Sequence, residues 1–146
     1  IVDAAPIAPQ LPADARELDA LLGNQIALDG AIVEEVANGI LPLTLYWSAS
    51  SHPQYPTVAF VQLLDANQQY IAGSDVQPDL ATRWWTLGET HTTLHNLSLP
   101  HDLPPGEYHL VAGIYDALTL ERLAAVDSSG ASLEQNLVPV ETVWMD

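Results

Sequence analysis

Along this chain hydrophobic and polar positions alternate over several short stretches, separated by Pro, Gly, Asn and Asp, which is the pattern of strands joined by turns. The clearest stretch follows Leu103-Pro104-Pro105-Gly106. From there Tyr108, Leu110, Ala112 and Ile114 fall on one face of an extended chain, and His109, Val111, Gly113 and Tyr115 on the other. A central strand is predicted, apolar on one face and mixed on the other. A Tyr just after Pro105-Gly106 fits the corner of Greek-key sandwiches, in which the phenol turns back onto backbone a few residues upstream.

The same pattern organises the rest. Residues 1–24 read as a Pro/Ala-rich arm, with a short helix predicted from Pro12 and Asp14 to Leu22 and ended by Gly23-Asn24; residues 25–146 read as the folded domain. Gln25 to Val36 predicts one bent strand or two short ones, bending at Asp29-Gly30. Asn38-Gly39 is a turn signal, and Ile40 to Ser48 a strand with Leu43, Leu45 and Trp47 facing the core. Pro42, which has no N–H to donate, should place that strand's beginning at an edge or a bulge. Thr57 to Asp65 is almost continuously apolar and includes Phe60; Asp65 to Gln68 then predicts a turn with Asn67 left-handed. Asp75 to Glu89 is a long irregular loop. His91 to Leu99 shifts its apolar phase between Leu94 and Leu97, suggesting a bulge. Arg122 to Val126 predicts the return of a hairpin in which Leu120 sits where a turn prefers Gly, and Leu137 to Trp144 a last strand with Val138, Val140 and Trp144 in phase. About eight strands with short turns define an all-β, antiparallel Greek-key β-sandwich, immunoglobulin-like in architecture, closing over Trp47 and Phe60 and pinned at Gly106 and Tyr108.

Composition changes this picture in two ways. A chain of 146 residues that is 48% hydrophobic suits one well-filled core. Nineteen acids stand against Arg16, Arg83 and Arg122, for a net charge of -16, and such a surface repels phosphate backbones and anionic headgroups. Nucleic acid is therefore not an expected partner. No apolar run is long enough to cross a bilayer, so no direct membrane insertion by this segment is expected. Starting with Ile1 and not Met, the chain reads as a processed protein or a piece of a longer one.

Candidate chemistry is sparse. His91 and His95 share a face of a strand, but four residues span roughly 13 Å, too far for one metal ion. His52, His101 and His109 have no neighbour at ligand spacing. Asp75 and Asp79 flank Pro78 without the glycine-pivoted acidic loop of calcium motifs, so Asp75 reads as a turn cap. No serine lies in a nucleophile-elbow context, and Cys is absent. Neither a catalytic residue nor a cofactor nor a metal is predicted. In the long loop, Trp84 and Trp85 point opposite ways in an extended chain: either both clamp the loop, or one anchors it and the other is free to stack on a sugar with help from Arg83 and Tyr55.

The residue patterns define a sandwich without an activity. Their order adds more. Leu43-Thr44-Leu45-Tyr46-Trp47, Tyr55-x-Thr57-Val58-x-Phe60-Val61-Gln62-Leu63-Leu64-Asp65, Asp75-x-x-Pro78, Thr82-x-x-Trp85-x-x-Gly88-Glu89, Leu99-Pro100, Pro105-Gly106-x-Tyr108-x-Leu110-x-x-Gly113-Ile114-Tyr115-Asp116 and Arg122-Leu123 follow one another along the chain. In this the chain resembles the C-terminal extracytoplasmic β-sandwich domain of bacterial many-helix membrane glycosyltransferases of the protein-mannosyltransferase type. Gln62 stands where that family suggests His, Ala81 and Leu87 where it suggests Pro, and Leu120 where it suggests Gly. The resemblance implies a non-catalytic, outward-facing accessory domain tethered at the cell surface, whose partner is the membrane-embedded part of its own parent protein. The alternative is a carbohydrate-binding module that takes a glycan on the Trp84/Trp85 loop.

Overall fold

A computed structural model describes residues 11–51, 55–78, 81–82 and 85–146. In chain order its strands are β1 (Arg16–Leu22), β2 (Ile26–Val33), β3 (Ile40–Ala49), β4 (Thr57–Leu64), β5 (Tyr70–Val76), β6 (His91–Ser98), β7 (Gly106–Asp116), β8 (Ala125–Val126) and β9 (Val138–Met145). They form two antiparallel sheets, ordered β6-β3-β2-β1-β8 and β5-β4-β7-β9. β3 and β6 are neighbours in the first sheet while β4 and β5, which separate them in sequence, pair in the second. The chain thus crosses between layers in Greek-key fashion, and the predicted immunoglobulin-like sandwich is the fold observed.

Alternation fills the space between the layers. Leu41, Leu43, Leu45 and Trp47 of β3 meet Ala59, Val61 and Leu63 of β4 and Tyr108, Leu110, Ala112 and Ile114 of β7. The corner forms as expected: the Tyr108 ring is buried and its hydroxyl donates to the Pro104 carbonyl at 2.6 Å. Gly106 opens β7 at φ +147, a conformation that side-chain-bearing residues rarely adopt.

Several expectations give way. The predicted helix through Leu22 is instead β1, paired with β2 from Arg16↔Ala31 to Leu22↔Ile26, so the sandwich begins at Arg16 and not after residue 24. Leu18, Ala20 and Leu22 also satisfy a period of two, and a sheet edge was there to pair with. A register shift after Glu17 leaves Asp19 at φ +50. β2 is one strand whose register shifts between Leu28 and Gly30, as its Asp29-Gly30 bend foretold. Pro42 lies on an inner strand, yet its carbonyl accepts the N–H of Glu34 just beyond the end of β2, so its missing donor falls where that ladder stops. In the Asp65 turn the left-handed residue is Gln68, at φ +66.

β6 carries no bulge. Its register with β3 is unbroken from Ile40↔Ser98 to Trp47↔His91, which turns Thr93, His95 and Leu97 inward and leaves Leu94 exposed. The irregularity lies in β9, where the register against β7 shifts at Val140; Val143 and Met145 pack on the core and Trp144 is turned out, 72% exposed. Beyond the turn after β7, Arg122 makes a single bridge to Tyr115, and Ala125–Val126 crosses to pair with β1 in the other sheet.

Candidate functional site

β4 is apolar at nearly every position because both its faces are covered. Ala59, Val61 and Leu63 enter the main core, while Phe60 and Leu64 point the other way and join Val111 and Leu137 in a second buried cluster. Gly113, the register partner of Phe60, makes room for the ring: a Cβ there would lie 2.6 Å from Phe60 Cζ.

At the margin of this cluster lies a cavity of about 310 Å³ lined by Phe60, Gln62, Asp75, Tyr115, Leu120 and Arg122. Period two on β4 puts Phe60 and Gln62 on the same face, and the register puts Asp75 of β5 opposite Phe60. Tyr115 follows Gly113 on β7, and the bridge to Arg122 brings that side chain alongside. The polar groups are held. Tyr115 Oη donates to Asp75 Oδ2 at 2.9 Å, and its ring lies 5.9 Å from that of Phe60, tilted by 37°. The Arg122 guanidinium sits 5.1 Å from the Phe60 ring centroid, and its Nη1 donates to the Gln135 carbonyl at 3.0 Å. Desolvation, then the Asp75 carboxylate, pushes the Tyr115 phenol above its ordinary value, so it remains a donor at neutral pH. One acid, one base, one amide and one phenol thus converge over an aromatic floor.

A larger groove of about 830 Å³ lies at the opposite end, between the β2–β3 turn, the loop before β7 and the end of β9. Its lining includes the exposed Trp144 and the carboxylates of Glu34, Glu35, Glu141 and Asp146, and no Arg.

The residues singled out for sugar contact are not assembled among the described residues. Trp85 is 1% exposed and stacks on His91, with centroids 4.3 Å apart and planes 7° from parallel, so it is the loop's anchor and offers no ring to a sugar. His91 Nε2 in turn lies 2.8 Å from Glu89 Oε1. Tyr55 packs against the core and its hydroxyl donates to Gln25 Oε1 at 3.2 Å. Arg83 and Trp84, like His52 and Asp79, lie outside the described residues.

Two features were not foreseen. Asp75 is no turn cap: it faces outward from β5 and accepts the Tyr115 hydroxyl. A polar seam also runs through the core, where Trp47 Nε1 donates to Thr93 Oγ1 at 2.9 Å, Thr93 Oγ1 lies 2.8 Å from His95 Nε2, and His95 Nδ1 lies 3.3 Å from the Ser74 carbonyl. If the Thr93 hydroxyl donates to Nε2, then Nδ1 carries the proton for Ser74 and every atom of the seam is satisfied. Burial pulls the His95 pKa down to about 4, which keeps the ring neutral. Asp29 is also buried, and desolvation raises its carboxyl above the usual range.

Among the described residues no three potential metal-ligating side chains come together. No helix among them is long and apolar enough to cross a membrane. In comparisons with known proteins, no family model matches the chain, and no curated protein matches it. Phe60, Gln62, Asp75, Tyr115 and Arg122 read in the sequence only as strand, turn and motif positions, and no signal there marked the cavity they line.

Proposed function

We propose that this chain is a non-catalytic extracytoplasmic accessory domain that stabilises or positions a membrane glycosyltransferase or a related cell-surface protein. The observation that carries this reading is the use the fold makes of the residues behind the resemblance. Tyr108 ties the corner, Trp85 anchors the long loop, Gly113 seats Phe60, Asp75 holds Tyr115, and Asp116 Oδ1 accepts the Leu118 N–H in the turn beyond β7. These residues come from separate motifs and act together as framework, as expected of a domain whose parent keeps its chemistry in the membrane. With a charge of -16 the surface is repelled by anionic headgroups, so a covalent tether and not lipid attraction sets its position, and the membrane part of its own parent is its partner.

The reading is tested on the gene. The frame upstream of Ile1 is expected to encode a block of hydrophobic helices, and protease added to intact cells is expected to release a fragment carrying this domain. A reading frame that opens close to Ile1 with no such block, or a domain protected until the cells are lysed, overturns it.

A further inference from the structure

We infer that the cavity over Phe60 is a binding site for a neutral, hydroxylated ligand, a sugar unit of a glycan. The inference stands on the geometry of the cavity and does not depend on the accessory-domain reading.

Three observations converge on it. The first is the set of hydrogen-bonding groups. Asp75 offers carboxylate oxygens, Arg122 offers guanidinium N–H groups beyond the one spent on Gln135, and Gln62 offers both a carbonyl and an amine, all within one cavity of about 310 Å³. Vicinal hydroxyls, which donate and accept at once, match such a mixed set. Asp75 and Arg122 are held in place by Tyr115 and by the Phe60 ring, so little ordering is left for a ligand to bring about.

The second is charge. The chain carries -16 overall with three Arg, and one of the three lies here beside a single carboxylate. The lining is thus close to neutral while the surroundings are strongly negative. An anionic ligand meets the field of the whole domain, and a cation finds Arg122 in its way, so the uncharged ligand is preferred.

The third is Leu120. It sits at φ +65, the left-handed region where L side chains are strained, and it is 71% exposed. A glycine would relax the turn at the loss of only the small part of the leucine side chain that is covered. The leucine lines the cavity, where it supplies an apolar surface for the C–H face of a sugar ring.

The test is a titration of the labelled domain followed by amide chemical shifts, using neutral monosaccharides and short glycans at millimolar concentration, with a uronic acid and an amino sugar as charged counterparts. Shifts are expected at Gln62, Asp75, Tyr115 and Arg122 with at least one neutral sugar. Asp75→Asn and Gln62→Ala should each weaken that binding by roughly tenfold or more, the worth of one hydrogen bond to a charged or buried group. Leu120→Gly provides the decisive pairing: melting temperature rises while sugar affinity falls by several fold, a combination that a purely structural leucine would not produce. No shift at these residues with any neutral sugar, stronger binding of a charged counterpart, or Asp75→Asn and Gln62→Ala variants that fold and bind like the parent would each overturn the assignment.

Discussion

Strands β6 and β4 turn outer faces of opposite character to their surroundings. On the five-stranded sheet, β6 directs Thr92, Leu94 and Asn96 outward, and all three stay exposed. On the four-stranded sheet, β4 directs Phe60 and Leu64 outward, and both are buried with Val111 beneath the stretch that ends at Leu137. The difference shows why the cavity lies where it does. Polar groups hold fixed positions only against a dry, packed floor, and of these two faces only the second provides one.

The sharpest way to break this comparison is to make the same substitution on both faces. Leu64→Ala removes side-chain atoms from a closed cluster and should cost about 3 kcal/mol. Leu94→Ala removes them from solvent, where Leu94 is 67% exposed, and should change stability by less than about 0.5 kcal/mol. Urea unfolding of the two variants measures both. Equal costs would mean that the second cluster is not a core.

Next in size is an effect of pH, carried by the inward neighbour of Leu94. His95 is fully buried and neutral with a pKa near 4, against 6.5 for a free imidazole. The unfolded chain therefore binds more protons between these values, so stability falls as pH drops from 6.5 towards 4 and the loss levels off below that. At 1.36 kcal/mol per unit, the full difference is up to about 3 kcal/mol. Denaturation midpoints across this window should show the slope in the parent and lack that part of it in His95→Asn. A parallel pH dependence in both proteins would place the imidazole in contact with water.

Leu94 and His95 both lie on β6, where the sequence was least transparent. A strand with leucine out and histidine in contradicts the hydrophobic rule, and the apparent change of phase suggested a bulge. What decides the orientation is the seam of Trp47, Thr93, His95 and Ser74, formed between residues far apart in sequence and visible only once β3, β5 and β6 are adjacent. The architecture was legible because its signals are local: Pro105-Gly106 before an alternating run, Asn38-Gly39 between two strands, a continuous apolar run in β4. β1 was missed because its leucines satisfy a helical period and an extended one equally, and pairing with β2 settles the matter. Trp85 was one of two indoles offered as the loop's anchor, and what holds its ring inward is the stacking partner His91. The cavity was not legible, since the approach of Tyr115 to Asp75 is created by sheet register.

A smaller effect probes how tightly the second cluster is packed. In Gly113→Ala the new methyl would lie 2.6 Å from Phe60 Cζ and 3.2 Å from the Asn136 carbonyl oxygen, so the ring must tip away from β7. A cost of about 2 kcal/mol is expected from the overpacking. Adding Phe60→Leu should recover part of it, because the shorter side chain vacates the contested space. Full additivity in this double-mutant cycle would show that the ring and the glycine do not meet.

The smallest effect belongs to the corner that sets which face of β7 turns inward. Tyr108→Phe keeps the ring in the core and deletes only the hydroxyl that reaches the Pro104 carbonyl at 2.6 Å. Pro104 is exposed, so water takes over the abandoned carbonyl and the penalty stays near one ordinary hydrogen bond, about 1 kcal/mol. The two outer faces should survive the change: Leu64→Ala and Leu94→Ala made in the Tyr108→Phe background should cost what they cost alone, since neither leucine touches the corner. If instead Leu64→Ala becomes markedly cheaper in that background, the corner is what presses β7 against the second cluster, and the contrast between the faces originates at Tyr108 and not in the pattern of β4.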